Sequence, residues 1–278
     1  MQRRGFLIGS TAAAALCCLR VSAQSPSSLL ETARRLAAAP YVPPNSQLPP
    51  PFAGLDYDAY RGIRPIPGRA AMLPLGQDFS VDLLPPGLFF PDPVLIERVT
   101  GAGPQEVVFS TDLFSFQDRY FDTIPDTAPG AGFSGLRLRH PLNAPDRMDE
   151  VLVVQGASYF RAIGQAMAYG LSARAVAIGT GGARPEEFPR FTHLRLHDPQ
   201  NGAIRLEAMI DSPSLAGHID MILRPGADTV MDISCTLMPR RDIADIGVAP
   251  LTSMYLKGPL RASVSDDFRI EPDDKGHW

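Results

Sequence analysis

The 278-residue sequence carries little net charge, a single tryptophan and only three cysteines. Its 26 Lys and Arg residues are nearly balanced by 30 Asp and Glu residues, so the formal net charge is −4 at pH 7. A nucleic-acid groove needs clustered Lys and Arg to bind phosphates, and this composition argues against one. Binding of a neutral ligand makes no such demand. With 45% hydrophobic residues, the chain can build the core of one large domain or two small ones.

The N-terminus lacks an apolar run long enough to span a bilayer permanently, but it has the features of an export signal. Residues 3–7, RRGFL, form a twin-arginine pattern in front of a short apolar stretch. Small residues at 21–23, VSA, mark a cleavage site. These features predict a twin-arginine signal peptide over residues 1–23 and a mature chain that begins near Gln24. A short N-terminal membrane anchor is the alternative.

Cleavage at this point would leave Cys235 as the one cysteine, and one thiol cannot form an internal disulfide. Met231, Ile233, Cys235 and Leu237 are spaced two residues apart, as expected for residues on one face of a strand. We therefore predict that Cys235 is a small buried hydrophobic residue rather than a reactive or metal-binding thiol.

One short helix is predicted near the start of the mature chain, over residues 27–39. Apolar residues such as Leu29 and Ala33 fall on one face, and a serine in front of them can cap the helix. Residues 40–51 are rich in proline and predict a surface connection. Residues 24–51 are thus expected to be a helix and a linker.

The 28 prolines and 24 glycines are many for a helical protein and are typical of strands joined by turns. The clearest alternation spans residues 193–237, where turns at Asn201-Gly202 and Pro225-Gly226 separate strands with one apolar face. Weaker alternation predicts strands at residues 79–84, 94–99, 106–109, 150–154 and 171–178. Residues 110–147 lack a clear period and predict a long surface excursion. The whole pattern predicts a mostly β protein built as an antiparallel β-sandwich.

Residues 151–191 place aromatic residues and arginines in an otherwise apolar run, VLVVQGASYFRAIGQAMAYGLSARAVAIGTGGARPEEFPRF. Aromatic faces stack on pyranose rings, and Arg and Glu side chains hydrogen-bond to sugar hydroxyls. This composition suits a sugar-binding site.

The segment resembles the periplasmic glucan biosynthesis proteins, the G/D family of osmoregulated periplasmic glucans, whose pattern is close to GASYFR, YGLSARGLAI and GEEFPRF. The resemblance continues through HPLNAPDRMDEV at 140–151, RPGADTVMDI at 224–233 and VAPLTSM at 248–254. It implies a large glucan-binding β-sandwich of the galactose-mutarotase type over residues 52–278. It also implies a periplasmic role in binding β-1,2-linked glucan, which endo-acting relatives hydrolyse.

The resemblance further implies a C-terminal truncation. Family members continue with the rest of the sandwich and a smaller immunoglobulin-like domain, whereas this sequence stops at Trp278. Three functions stay open: a glucan hydrolase, a non-catalytic glucan-binding or scaffold partner of the membrane glucan synthase, and a non-functional product. The sequence indicates no cofactor and does not predict the oligomeric state.

Six residues are the candidates for substrate binding: Tyr159, Arg161, Tyr169, Arg174, Glu186 and Glu187. Core packing is the alternative for the tyrosines, and a solvated loop is the alternative for the two glutamates. For the two arginines, the alternative is a structural ion pair with Glu150 or Glu187. Adjacent residues of an extended chain face opposite ways, so Glu186 and Glu187 are not both expected in one site.

Catalytic residues are implied by the E-x-x-D motif of the hydrolytic relatives, which falls on Glu271 and Asp274. The resemblance makes Asp274 the general acid and Glu271 a supporting carboxylate. Two departures leave activity open: Asp273 stands where the family has His, and Gly179 stands where it often has Asp. The alternative for residues 271–274 is an acidic, frayed tail.

The histidines do not predict a metal site. His193 and His197 lie two pleats apart on one face of a predicted strand. We expect no cysteine or carboxylate ligands beside them and therefore predict a surface pair.

Overall fold

The computed structural model describes residues 28–252, except residues 127, 168, 169, 171 and 184. The predicted signal peptide and the predicted catalytic residues Glu271 and Asp274 lie outside the described residues. The chain runs through its elements in the order α1 (Leu29–Ala37), α2 (Tyr57–Arg61), β1 (Ile63–Pro65), β2 (Met72–Gly76), β3 (Phe79–Leu84), β4 (Leu95–Thr100), β5 (Gly103–Glu106), a 3-10 helix (Thr111–Leu113), β6 (Phe114–Phe116), β7 (Gly135–His140), β8 (Asp149–Gln155), β9 (Tyr159–Ala162), β10 (Ser172–Arg174), β11 (Val176–Ile178), β12 (Arg190–His197), β13 (Ile204–Asp211), β14 (Leu215–Arg224), β15 (Val230–Pro239), β16 (Ile246–Val248) and β17 (Leu251–Thr252).

Two large sheets dominate the fold. One has seven strands in the order β17-β10-β9-β8-β7-β3-β2, and the other has six in the order β15-β14-β13-β12-β4-β5. Two-stranded ribbons, β1-β6 and β11-β16, accompany them. The only parallel contact in the six-stranded sheet joins β12 to β4. The predicted mostly β, largely antiparallel sandwich is confirmed.

One hydrophobic core lies between the sheets and draws on both. Leu136 and Leu138 of the seven-stranded sheet and Leu194 and Leu196 of the six-stranded sheet are all buried in the same cluster. Successive side chains of a strand point to opposite faces, so these alternate residues pack inward while their polar neighbours point outward. Burial of each such leucine contributes about 1.5–3 kcal/mol.

The predicted helix is confirmed as α1, and it packs on the outer face of the six-stranded sheet. The Ser28 side chain accepts a hydrogen bond from the Glu31 backbone nitrogen at 3.2 Å and caps the helix. Leu29 and Ala33 are buried against Met209. No helix within the described ranges is long and apolar enough to cross a membrane.

The predicted meander is confirmed over β12 to β15. The hairpin between β12 and β13 turns at Asn201 and Gly202, whose φ angles are 52° and 71°. Two consecutive residues with positive φ match the twist of the flanking strands, which explains the Asn-Gly pair at this point.

Three strand predictions are wrong in detail. Residues 110–147 are not one surface excursion, because they contain β6 and also β7, which pairs with β3 and β8 inside the seven-stranded sheet. The strand predicted at 106–109 lies earlier, at Gly103–Glu106. The strand predicted at 171–178 divides into β10 and β11, which belong to different sheets.

The prediction that Cys235 is buried is also wrong, because its side chain is exposed. It lies on β15, an edge strand, opposite the buried Ile219 of β14. Its neighbour on the same face, Ile233, is 41% exposed. Alternation correctly predicts which residues share a face. It does not predict how far the opposite sheet extends over that face.

Candidate functional site

The outer face of the seven-stranded sheet carries three of the six predicted sugar-binding residues, Tyr159, Arg161 and Arg174. Tyr159 of β9 lies directly opposite Arg174 of β10, and Arg161 lies opposite Ser172. Directly opposite residues of an antiparallel pair share a face. Phe160, which lies between Tyr159 and Arg161, points to the other face and is buried in the core.

A concavity of about 300 Å³ opens on this outer face. Its lining residues are Arg137, Glu150, Val153, Gln155, Tyr159, Phe160, Arg161 and Ser172, and we call it the Tyr–Arg concavity. Glu150 is its central anion, because Arg137 Nε lies 2.6 Å and Arg161 Nη2 lies 2.9 Å from its two oxygens. Both arginines stay partly exposed and line the concavity.

A buried carboxylate, Asp82 of β3, supports this arrangement from the neighbouring strand. Arg139 Nε lies 2.8 Å and Arg137 Nη1 lies 3.7 Å from Asp82 Oδ2. Arg137 therefore links Asp82 to Glu150 and is held in one orientation. These groups were missed at the sequence level, although Arg137 and Arg139 alternate with two buried leucines, which is a strand signal.

Gln155 closes one end of the Tyr–Arg concavity through a chain of hydrogen bonds. Its Nε2 donates to Tyr60 Oη at 2.8 Å and to Ser134 Oγ at 2.9 Å. The Tyr60 hydroxyl in turn donates to the Pro85 carbonyl oxygen at 3.0 Å. Burial raises the pKa of Tyr60, so its hydroxyl stays protonated and can donate.

Arg174 lies between two aromatic rings. Its Cζ is 5.6 Å from the ring centroid of Tyr159 and 5.4 Å from that of Phe188, distances typical of cation–π contacts. Its Nη1 is paired with Glu186 Oε1, which also accepts a hydrogen bond from Thr180 Oγ1 at 3.0 Å. The side chain is only 9% exposed. Its contacts orient the rings, and little of its surface is available to a ligand.

Glu187 faces away from Arg174, as the alternation of an extended segment predicts. Its carboxylate accepts hydrogen bonds from the Ser214 backbone nitrogen at 2.8 Å and the Ser214 hydroxyl at 2.7 Å. Arg241 Nη2 lies 3.1 Å away. Burial acts to raise the pKa of Glu187, but hydrogen bonds from Ser212 and Ser214 and the charge of Arg241 outweigh it. The pKa of Glu187 is therefore held below its ordinary value.

A second concavity, of about 410 Å³, lies on the Glu187 side of this segment. Its lining residues are Ile178, Gly179, Pro185, Glu187, Ser214, Arg241, Asp242, Ile243, Ala244 and Asp245, and we call it the acidic concavity. Gly179, the position where the family pattern often has Asp, borders it with a φ of +71°. The nearest atom to a Cβ placed there is the Pro185 carbonyl oxygen at 4.0 Å, so space for a side chain exists.

The predicted site residues therefore divide into groups. Tyr159 and Arg161 line the Tyr–Arg concavity, Glu187 lines the acidic concavity, and Arg174 and Glu186 pair with each other beside Tyr159. The alternative ion pair of Arg161 with Glu150 is present, whereas Arg174 pairs with neither Glu150 nor Glu187 in the described part of the chain. Tyr169 lies outside the described residues.

The histidines have carboxylate neighbours, contrary to expectation. His193 Nε2 lies 2.8 Å from Glu97, while His197 and His218 contact the two oxygens of Glu207 at 2.7 and 3.2 Å. The carboxylates come from neighbouring strands, which a single-strand argument cannot place. Burial, together with the charge of Arg195, lowers the pKa of His193 despite the opposing effect of Glu97. No group of three or more His, Cys, Asp or Glu among the described residues is arranged to hold a metal ion.

Comparison with known proteins identifies related sequences over most of the chain. The family described as "Periplasmic glucan biosynthesis protein, MdoG" matches residues 25–276. Glucans biosynthesis protein G of Rhodopseudomonas palustris is 41% identical over 257 residues, which cover 91% of this chain and 50% of the relative. The proteins of the same name from Bradyrhizobium diazoefficiens and Vibrio cholerae are each 38% identical, over 97% and 88% of this chain and 55% and 45% of the relatives. The chain thus spans about half the length of the curated relatives it matches.

Proposed function

The chain belongs to the periplasmic glucan biosynthesis protein family, and from this membership we propose that it binds the neutral backbone of a β-1,2-linked glucan in the Tyr–Arg concavity. The observation that carries the proposal is that Tyr159, Arg161 and Arg174 share one face of the sheet. Two of these three line a concavity of about 300 Å³. Sugar sites combine an apolar ring with a few well-placed polar groups, and this concavity has both.

The charges of the concavity favour a neutral ligand over an anionic one. Arg137 and Arg161 both contact Glu150, and Arg137 and Arg139 both contact Asp82. An anionic ligand would have to compete with these carboxylates for the guanidinium groups. Sugar hydroxyls carry no charge and can both donate and accept hydrogen bonds, so paired charges do not exclude them.

Calorimetric titration of the chain with linear β-1,2-glucan tests this proposal. Tyr159→Ala removes the ring and should weaken binding about five-fold, while Tyr159→Phe should bind nearly as the wild type does. Arg98→Met is the matched control, because Arg98 forms an exposed ion pair with Asp198 at the six-stranded sheet. A wild-type chain that shows neither heat nor a change in melting temperature with glucan overturns the proposal.

Trimming of the glucan is a second candidate function. It is favoured by the acidic concavity, which offers room for sugar beside Asp242 and Asp245, since glycoside hydrolysis requires two carboxyl groups. Asp274 as general acid and Glu271 as supporting carboxylate complete this proposal. The test is release of shorter oligosaccharides from linear β-1,2-glucan. If products form and Asp274→Asn forms them equally fast, the assigned acid is wrong.

We also propose that the chain works in the periplasm and partners the membrane glucan synthase. The support is the description of the family as periplasmic and the twin-arginine pattern at residues 3–7. A reporter fused behind residues 1–23 should be exported, and the double change Arg3→Lys, Arg4→Lys should retain it in the cytoplasm.

Co-purification of cross-linked synthase with the exported chain tests the partner. Export of the chain without recovery of the synthase contradicts the proposed partner and leaves the periplasmic location standing.

A further inference from the structure

One short segment, residues 185–188, lies between the acidic concavity and Arg174, whose guanidinium group contacts Tyr159 of the Tyr–Arg concavity. Pro185 and Glu187 line the acidic concavity. Glu186 and Phe188 turn to the other side, where both contact Arg174. The backbone of Glu187 donates to the Ile178 carbonyl oxygen at 3.0 Å and so holds the segment extended. The segment is therefore a ridge, with the acidic concavity on one flank and the Arg174–Tyr159 contact on the other.

Phe188 is an exposed aromatic residue of this ridge and faces the Tyr–Arg side. Its ring is 50% exposed, although it contacts the Arg174 guanidinium. Arg174 also contacts Tyr159, which lines the Tyr–Arg concavity. The rings of Tyr159 and Phe188 thus lie on one guanidinium group. Arg174 therefore links the ring that lines the Tyr–Arg concavity to the ring on the ridge.

From this arrangement we infer that the two concavities are the ends of one path for a glucan chain, and that the Phe188 ring is a stacking surface between them. The inference rests on the proposed function and extends it to ligand length. A disaccharide fits within the Tyr–Arg concavity and does not reach the ridge. A longer neutral oligosaccharide crosses Phe188 and enters the acidic concavity.

Arg174 and Glu186 act in this path as positioning residues. Arg174 is anchored by its side chain to Glu186 and by its backbone nitrogen to the Pro250 carbonyl oxygen at 3.0 Å. Glu186 is tied in addition to Thr180. Arg174 has little surface to offer a sugar. The contribution of Arg174 and Glu186 is to hold the two rings at a constant separation. The ring side chains then lose less conformational entropy when a glucan binds.

Binding constants measured across a series of β-1,2-linked oligosaccharides, from the disaccharide upward, test the inference. Phe188→Ala should leave disaccharide binding unchanged and weaken binding of the long members about five-fold. Phe188→Tyr should bind the long members as the wild type does. Phe188→Leu keeps apolar bulk without an aromatic ring and should bind as Phe188→Ala does. Because Phe188 is half exposed, the melting temperatures of these variants should stay close to that of the wild type.

The outcomes separate the two proposals. If the wild type binds no member of the series, the proposed function fails and the path fails with it. If the wild type binds but Phe188→Ala loses affinity equally at every length, or at none, the path is overturned while glucan binding stands. Glu186→Gln supplies an independent readout. Glu186→Gln should selectively weaken the binding of long oligosaccharides, as Phe188→Ala does. If Glu186 had a purely structural role, the change would lower only the melting temperature.

Discussion

The Glu187 carboxylate accepts two hydrogen bonds from Ser214, one from the backbone nitrogen at 2.8 Å and one from the hydroxyl at 2.7 Å. This contact joins the ridge at residues 185–188 to the turn between β13 and β14. Because the ridge lies between the acidic concavity and Arg174, the Glu187–Ser214 contact connects the sandwich framework to the candidate glucan path. The geometry of the path therefore depends on a carboxylate that need not touch the sugar.

The ionised form of Glu187 should contribute to stability in a pH-dependent way. Its pKa in the folded chain lies below its ordinary value, so the contribution is complete above about pH 5 and is lost as the pH falls through the folded pKa. Glu187→Gln should cost about 1–2 kcal/mol of unfolding free energy at pH 7 and much less near pH 3. Urea unfolding at both pH values measures this. An equal cost at the two values would contradict it.

Glu150 should matter more for binding than for stability. Its contacts with Arg137 and Arg161 are partly exposed, so Glu150→Gln should change the unfolding free energy by no more than about 1 kcal/mol. The released guanidinium groups would lose their orientation, and glucan binding should weaken several-fold in calorimetry. Asp232→Asn, which removes an exposed ion pair with Arg224, is the control and should leave binding unchanged. Unchanged glucan binding by Glu150→Gln would show that the sugar binds outside the Tyr–Arg concavity.

Gly135 should not tolerate a side chain. A Cβ at this position would lie 2.1 Å from the Val154 carbonyl oxygen, and this oxygen belongs to backbone that cannot move without disturbing β8. Gly135→Ala should destabilise the fold by about 3 kcal/mol or more. Gly101→Ala, where no atom lies within 4 Å, should be close to neutral. Thermal unfolding of the two variants compares them directly, and equal melting temperatures would refute the register of β7 against β8.

Cys235 should react with thiol reagents in the native chain. It is exposed on the edge strand β15, and in a chain that begins at Gln24 it is the only thiol. Partial desolvation by neighbouring side chains raises the pKa of this exposed thiol, so the reaction should accelerate as the pH rises toward that pKa. Labelling under native conditions, compared with labelling in urea, gives the result. A native thiol that labels only after unfolding would show that another part of the protein covers this face.

Local signals in the sequence account for α1 and for the β12–β15 meander. A serine cap, an apolar stripe and the Asn201-Gly202 turn are all encoded within a few residues of where they act. The strand period also predicts that Glu186 and Glu187 face opposite ways, and the structure confirms this. The same period is present in β7, but it covers only a short strand within a long segment that otherwise lacks a period, so the strand was not predicted.

The sequence alone determined the mostly β fold, the family and three of the residues that share the candidate sugar-binding face. Only the tertiary structure decided that Arg174 pairs with Glu186, that Asp82 supports Arg137, and that Cys235 is exposed. The physical reason is that alternation along one strand determines which side chains point the same way. Which strand lies beside it, in what register, and how far the second sheet extends depend on contacts between residues distant in the chain.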